Sequence, residues 1–154
     1  MPLRFKQQRM VEILQELPEL FYKHWKEASY KPGFIFDPDW QKYLESDIAG
    51  GLFILTARAE GKLVGYYFAN LFTHIHYKGI SCAFVQGYYL LPEYRAAGNG
   101  IRLLKTAENI LKKRGIRMLY ISCGELLDLV GLLERLGFKK AETGLYKVLG
   151  DEHG

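Results

Sequence analysis

Between Cys82 and Gly115 the chain reads CAFVQGYYLLPEYRAAGNGIRLLKTAENILKKRG, and no other stretch restricts the fold as tightly. Ala83 to Leu91 is an apolar, aromatic and β-branched run without polar alternation, which predicts a central strand buried on both faces. Pro92 removes a ladder donor and restricts the residue before it, so the strand should end near Leu91 and turn through Glu93 and Tyr94. Arg95 to Gly100 then gives R-x-x-G-x-G. Behind it Leu103, Leu104, Ala107, Ile110 and Leu111 recur at helical spacing up to Gly115, a natural C′ residue.

A glycine-bearing turn feeding a helix N-terminus gathers backbone N–H groups that have no intrahelical partner, at the positive end of the helix dipole. Gly98 and Gly100 lack Cβ atoms, so a phosphate can approach the main chain and the backbone can take positive φ. The same glycines also suit a tight connection with no ligand, and the turn by itself leaves both readings open. The dinucleotide fingerprint G-x-G-x-x-G does not fit, because Leu103 stands where its third glycine belongs, and no G-x-x-x-x-G-K followed by Ser or Thr occurs.

The fragment YYLLPEYRAAGNG resembles the signature of the GNAT superfamily of N-acetyltransferases, whose pyrophosphate loop reads Gln or Arg, two residues, Gly, one residue, Gly or Ala. Leu136-Gly137-Phe138 is similar to the L-G-F that follows that family's last helix. The HW-x-E at His24–Glu27 and the HYK at His76–Lys78 are similar to small phage-borne members. The resemblance implies acetyl-CoA (coenzyme A) as co-substrate, with no metal. Backbone groups around Tyr89, Leu90 and Leu91 would pair with the pantetheine amides. Main-chain N–H groups of Arg95, Ala96, Ala97, Gly98, Asn99, Gly100 and Ile101 would hold the pyrophosphate. It also implies two neighbouring strands that splay after the signature strand and, since small members often pair, a homodimer. Many members carry glycine and a basic residue where this chain has Ala96 and Ala97, so fewer side-chain contacts to phosphate are expected.

At 154 residues the chain has the length of a single domain spanning 1–154, long enough to bury one sizeable core. No apolar stretch approaches the ~20 residues that cross a bilayer. MPLRFKQQRM has no apolar h-region, and Cys82 and Cys123 lie far apart without a C-x-x-C, so a reduced cytoplasmic setting is the expectation. A formal net charge of +4 suits an anionic cofactor but falls short of a nucleic-acid-binding signature.

Elsewhere the pattern predicts a short strand at Leu3 to Lys6 and helix from Met10, with Pro18 either kinking it or opening a second helix. Asp37-Pro38-Asp39 should cap a helix through Trp40, Tyr43 and Leu44. Leu52 to Ala59 and Lys62 to Leu71 form a hairpin around Glu60-Gly61. Past the organising helix, Ile116 to Ser122 is a further buried strand, parallel to the first by the right-handed crossover rule. A helix from about Glu125 to Leu136 and a last pair of strands, closing at Leu145 to Leu149, complete an α/β (α+β mixed sheet) fold in the GNAT-like order, a central mixed sheet flanked by helices.

Acetyl transfer to an amine needs the nucleophile uncharged and the departing thiolate protonated. Many family members carry a carboxylate on the signature strand, where Phe84 and Gln86 are the inward candidates here. The tyrosine often found before L-G-F is replaced by Leu133, and an asparagine near the start of that helix by Leu126. The substitutes are His76, with His74 at period-2 spacing, as base; Glu27, at i,i+3 from His24; and Tyr146 as acid. Each also has a plain structural reading, as solvated loop, exposed helix or core. Two functions follow. The first is an enzyme, an N-acetyltransferase moving acetyl from acetyl-CoA to a primary amine on a small molecule or protein. The alternative is a catalytically weak or inactive CoA-binding module that works through a protein partner.

Overall fold

The computed structural model describes residues 2–28, 33–124 and 128–150. One sheet holds β1 (Arg4–Gln7), β2 (Leu52–Ala59), β3 (Lys62–Thr73), β4 (Ser81–Leu90) and β5 (Met118–Ile121), in that spatial order. The first four are antiparallel neighbours and β5 is parallel to β4, so the sheet is mixed. Each expected strand up to Ser122 is present. The β2–β3 connection is the two-residue turn at Glu60 and Gly61, both with positive φ, the twist that a tight hairpin demands.

Helices cover both faces of this sheet. On one face lies α4 (Asn99–Lys113), which buries Leu103, Leu104, Ala107 and Leu111. Arg102 at its start sits over the Phe5 ring and Arg114 at its end over Phe53, so it spans the sheet from β1 inward. Each such leucine stabilises the fold by about 1.5–3 kcal/mol relative to exposure. The opposite face carries α1 (Met10–Ile13) and α3 (Trp40–Ile48), with Tyr43 edge-on to Phe68. Asp39 caps α3 by accepting the Lys42 N–H. Between α1 and α3 the buried Asp47 carboxylate accepts the Met10 N–H at 2.7 Å and Arg9 Nε at 3.1 Å.

Pro18 resolves as a helix opener. α1 stops at Ile13, three turn residues follow, and α2 (Leu17–Ala28) carries the proline in its first turn, where its missing N–H costs nothing.

The chain falls into two units, one comprising the residues up to Leu20 with Asp39–Ser122, the other Phe21–Pro38 with Cys123 onward. In the second unit, Trp25 stacks on Phe36 at 4.9 Å and on Tyr22 at 5.9 Å. Its helix α5 (Val130–Arg135) is shorter than expected, with the Asp128 carboxylate accepting the Val130 N–H. The last pair of strands does not form: residues 138–149 have no regular structure. Leu145 and Leu149 are 94% and 84% exposed, so the apolar residues that suggested a strand gain no burial there. The expected loop at Ser29–Pro32, the helix start at Glu125 with Leu126, and the tail at Asp151–Gly154 lie outside the described residues.

The strand β4 corrects a second expectation. Ala83 and Val85 are buried, but Phe84 is 36% exposed and Gln86 is also exposed. The strand is inner in the sheet yet open on one face. Its register against β3 shifts between Phe68 and Ala69, pairing Phe68 with Gly87 and Ala69 with Val85, so Gln86 is the extra residue of a β-bulge.

Candidate active site

Two features of β4 define the site. Its pairing with β3 runs through Leu90, whereas β5 pairs only with Cys82, Ala83, Phe84 and Val85. The parallel neighbour therefore ends where the bulge begins, and the strand continues alone on that side toward Leu90. In the antiparallel ladder the Leu91 N–H donates to the Val64 carbonyl at 2.9 Å, and Leu90 pairs in register with Gly65. By strand alternation the Leu90 N–H and C=O point away from β3, to the side β5 has vacated. Leu91 is spent on β3 and Tyr89 lies opposite Tyr66 in the same ladder. Of the three residues expected to offer backbone groups to a pantetheine arm, alternation leaves Leu90 as the one that faces the opening.

Arg95 is drawn into that opening. Its Nε donates to the Leu90 carbonyl at 2.7 Å and its guanidinium lies 5.4 Å from the centre of the Tyr89 ring. The signature arginine thus joins the end of the strand to the turn that follows.

The turn itself passes from a 3-10 turn at Pro92–Tyr94 into α4 through two consecutive left-handed residues, Ala97 (φ 58°) and Gly98 (φ 74°). The first α-helical bond is from the Arg102 N–H to the Gly98 carbonyl at 3.0 Å. Helix geometry leaves the N–H groups of Gly100 and Ile101 directed out of the N-terminus, with the dipole's positive end behind them. Asn99 braces the turn by donating from Nδ2 to the Tyr94 carbonyl, and its Oδ1 accepts from Arg102 at 2.7 Å. The second Arg102 nitrogen reaches the Leu3 carbonyl at 3.3 Å. This guanidinium at the helix start supplies a positive charge near the turn even though Ala96 and Ala97 carry none. Its signal in the sequence was only a cation in the first turn, the unfavourable end of a helix dipole.

Tyr88 escaped the sequence reading. It lies on the α4 side of β4, and a Cβ built on Gly100 would come within 2.7 Å of its hydroxyl oxygen. A side chain at 100 would need the phenol end of Tyr88 to shift. Burial pushes the Tyr88 hydroxyl up to about 12, with Arg95 pulling the other way, so it stays protonated and able to donate beside the helix start.

The candidate acid–base residues are placed as follows. His74 and His76 lie at the β3–β4 connection. The His76 N–H donates to His74 Nδ1 at 3.1 Å, which puts the proton of a neutral His74 on Nε2. The two rings are 5.8 Å apart, and His74 lies 4.5 Å from Tyr77 and 6.5 Å from Tyr120, itself in register with Phe84. His76 is exposed and His74 half-buried. Glu27 and Tyr146 belong to the second unit, Glu27 half-buried on α2, Tyr146 61% exposed in the irregular 138–149 segment instead of on a strand. Gln86 accepts a hydrogen bond at Oε1 from Asn70 Nδ2 at 2.9 Å. Among the described residues no three His, Cys, Asp or Glu side chains gather as a metal site, and no helix is long and apolar enough to cross a membrane.

Residues 10–138 match the model of the acetyltransferase (GNAT) family. No protein of curated function matches the sequence. Among solved structures, an aminoglycoside acetyltransferase from an uncultured soil metagenomic sample, in complex with sisomicin, is 13% identical with a TM-score of 0.74, covering 96% of this chain and 97% of that one. A ribosomal-protein-alanine N-acetyltransferase from Brucella melitensis biovar Abortus 2308 is 15% identical with a TM-score of 0.72, covering 97% and 100%. A predicted acetyltransferase from Clostridium acetobutylicum, solved with acetyl-CoA, is 13% identical with a TM-score of 0.72, covering 96% of each chain.

Proposed function

The chain belongs to the acetyltransferase (GNAT) family, and on that footing we propose that it transfers an acetyl group from acetyl-CoA to a primary amine. The observation that carries this reading is the continuity of the turn at Arg95–Ile101 with the one-sided strand from Gln86 to Leu90. A pyrophosphate held at the Gly100 and Ile101 N–H groups leaves an arm to run back along β4. From Leu91 to Gln86 that path is roughly 17 Å at the rise of ~3.4 Å per residue of a strand. The thioester then meets the sheet at the bulge. Leu90 would pair with the arm, which requires Arg95 to share or yield the Leu90 carbonyl.

Holding thioester and amine together supplies most of the acceleration. The amine nitrogen forms the N–C bond, the C–S bond breaks, and the proton lost from nitrogen ends on the thiolate or in water. His76, exposed at the end of the β3–β4 connection and linked to His74, is the proposed carrier of that proton. The known activities of structurally similar proteins, on an aminoglycoside in one case and a ribosomal protein in another, leave the acceptor here to be found by its chemistry.

Calorimetric titration with acetyl-CoA tests the reading, with Gly98→Glu and Gly98→Asn as variants. A Cβ at Gly98 meets nothing within 4 Å, so the glutamate adds charge without a clash, although it is strained at φ 74° as any side chain there is. Asparagine tolerates the left-handed conformation and stays neutral. One-site binding by the wild type and Gly98→Asn but not Gly98→Glu, followed by amine-dependent release of free thiol, supports the enzyme. Binding without thiol release for any amine supports the CoA-binding module, and absence of binding at about millimolar ligand sinks both.

A further inference from the structure

Gln86 is the bulge residue of β4 and follows directly on Val85, the last residue of β4 paired to β5; in the reading above the arm ends there. Phe84, Phe72 and Tyr120 lie on the same sheet face. Phe72 stacks on Tyr120 at 6.3 Å, and Tyr120 is in register with Phe84. Asn70, in register with Phe84 from the β3 side, donates to Gln86 Oε1. An amide oxygen has two acceptor sites, and Asn70 takes one of them. We infer that the second accepts an N–H of the acceptor amine, so that Gln86 holds the nucleophile against the thioester but cannot deprotonate it. The inference rests on the acetyl-CoA reading above and names the acceptor class within it: amines already uncharged near neutral pH, with an aromatic ring to lie on the Phe84–Tyr120 face.

The chemistry follows from the difference between an amide and a carboxylate. A carboxylate at this position attracts an ammonium and can relay its proton away; a neutral amide accepts a hydrogen bond and takes no proton. The N–H donated to Gln86 leaves the nitrogen lone pair free to attack the carbonyl carbon. The N–C bond forms, the C–S bond breaks, and only then does the nitrogen lose its proton, which His76 passes to water or to the departing thiolate. The titratable groups around Gln86 in this unit are Cys82 on β4 itself, Tyr120 on β5, Tyr66 and Tyr89 farther along the face, Tyr43 from α3, and His74, His76 and Tyr77 from the β3–β4 connection. Of these the histidines are the side chains whose type serves as a base around neutrality. A histidine base acting before attack therefore has its own signature.

The test compares p-toluidine, a weakly basic aromatic amine, with benzylamine, which is an ammonium at neutral pH, in wild type, Gln86→Glu and Gln86→Met. Thiol release with acetyl-CoA gives kcat/KM across pH, and side-chain amide NMR of CoA-saturated protein reads contact directly. In the wild type, toluidine kcat/KM should be flat around neutrality. Benzylamine kcat/KM should climb about tenfold per pH unit up to that amine's own pKa. Gln86→Glu should raise benzylamine turnover at neutral pH at least about tenfold and leave toluidine within about twofold. Gln86→Met should lower both without moving either profile, and the Gln86 and Asn70 side-chain NH2 signals should shift when either amine is added.

A benzylamine limb that levels well below that amine's own pKa overturns the inference in favour of a base on the protein acting before attack. So does a Gln86→Glu variant that leaves the ratio of the two amines unchanged, or amide signals that do not move. Acetyl-CoA binding with neither amine turned over and no amide shift overturns this inference and leaves the cofactor reading standing. Loss of acetyl-CoA binding itself takes down both.

Discussion

The hydroxyl of Tyr88 and the α-carbon of Gly100 are fitted to one another: any β-carbon at position 100 would lie 2.7 Å from that oxygen. Gly100→Ala should therefore destabilise the protein by about 1–3 kcal/mol, as overpacking of a half-buried ring does. Tyr88→Phe removes the offending oxygen. The double variant should recover most of the loss, giving a coupling above about 0.5 kcal/mol in a denaturant-unfolding cycle. Additive losses would show that glycine is needed for another reason. Because burial holds the phenol at about 12, Tyr88→Phe should lower acetyl-CoA affinity equally at every pH from about 6 to about 9.

Ala97 is left-handed with a side chain, at φ 58°. That conformation costs roughly 1–2 kcal/mol for a residue with a Cβ, whereas glycine there adds about 0.5–1 kcal/mol of chain entropy to be lost. Ala97→Gly should accordingly stabilise the protein by roughly 0.5–1 kcal/mol in equilibrium denaturation. Ala96, which has no positive φ, is the control: Ala96→Gly should not stabilise.

Asp47 ties α1 to α3 through the Met10 N–H and the Arg9 side chain while buried itself. Asp47→Ala leaves a buried N–H without its acceptor and should cost about 2–4 kcal/mol. Arg9→Ala, on a side chain 61% exposed, should cost about 1 kcal/mol or less. Denaturation midpoints of the two variants check the order, and equal losses would contradict it.

The pair of Arg58 and Glu16 makes stability depend on acid. Both Nη atoms of Arg58 donate to the Glu16 carboxylate at 2.9 Å, which holds Glu16 below its ordinary 4.5. A depressed carboxylate contributes stability that is fully present above the ordinary value and is lost as pH falls through the folded value. The advantage of wild type over Glu16→Gln should be constant at neutral pH and shrink below about pH 4.5. Solvent access to Glu16 keeps the effect small. A gap that widens on acidification would reverse the assignment.

What the sequence discloses here is local. The Glu60-Gly61 hairpin could be read because the turn's dihedrals are demanded by two adjacent residues, and the Asp39 cap because it acts within one helical turn. The organising helix declared itself by its period. What failed depends on partners far along the chain. Gln86 broke the apolar run of β4, but the bulge that exposes it comes from the register against β3. Leu145 and Leu149 looked like strand residues, yet a strand exists only where an edge is offered to it, and periodicity does not say whether one is. The site divides the same way: the turn was visible, whereas the fit of Tyr88 to Gly100, the Arg95 bond to Leu90 and the hold of Asn70 on Gln86 are all relations in space.

The half-length of β5 has an evolutionary side. Along its last residues β4 pairs with its own sheet on one edge; in the proposed reading the other edge would pair with the guest through peptide groups that every residue type possesses. A recognition surface of that kind is nearly blind to substitution. Side chains along such an edge can change while its peptide groups stay available to a guest; structures only 13–15% identical share this fold along almost their whole length. What the edge offers there is an absence, the place where one strand stops short.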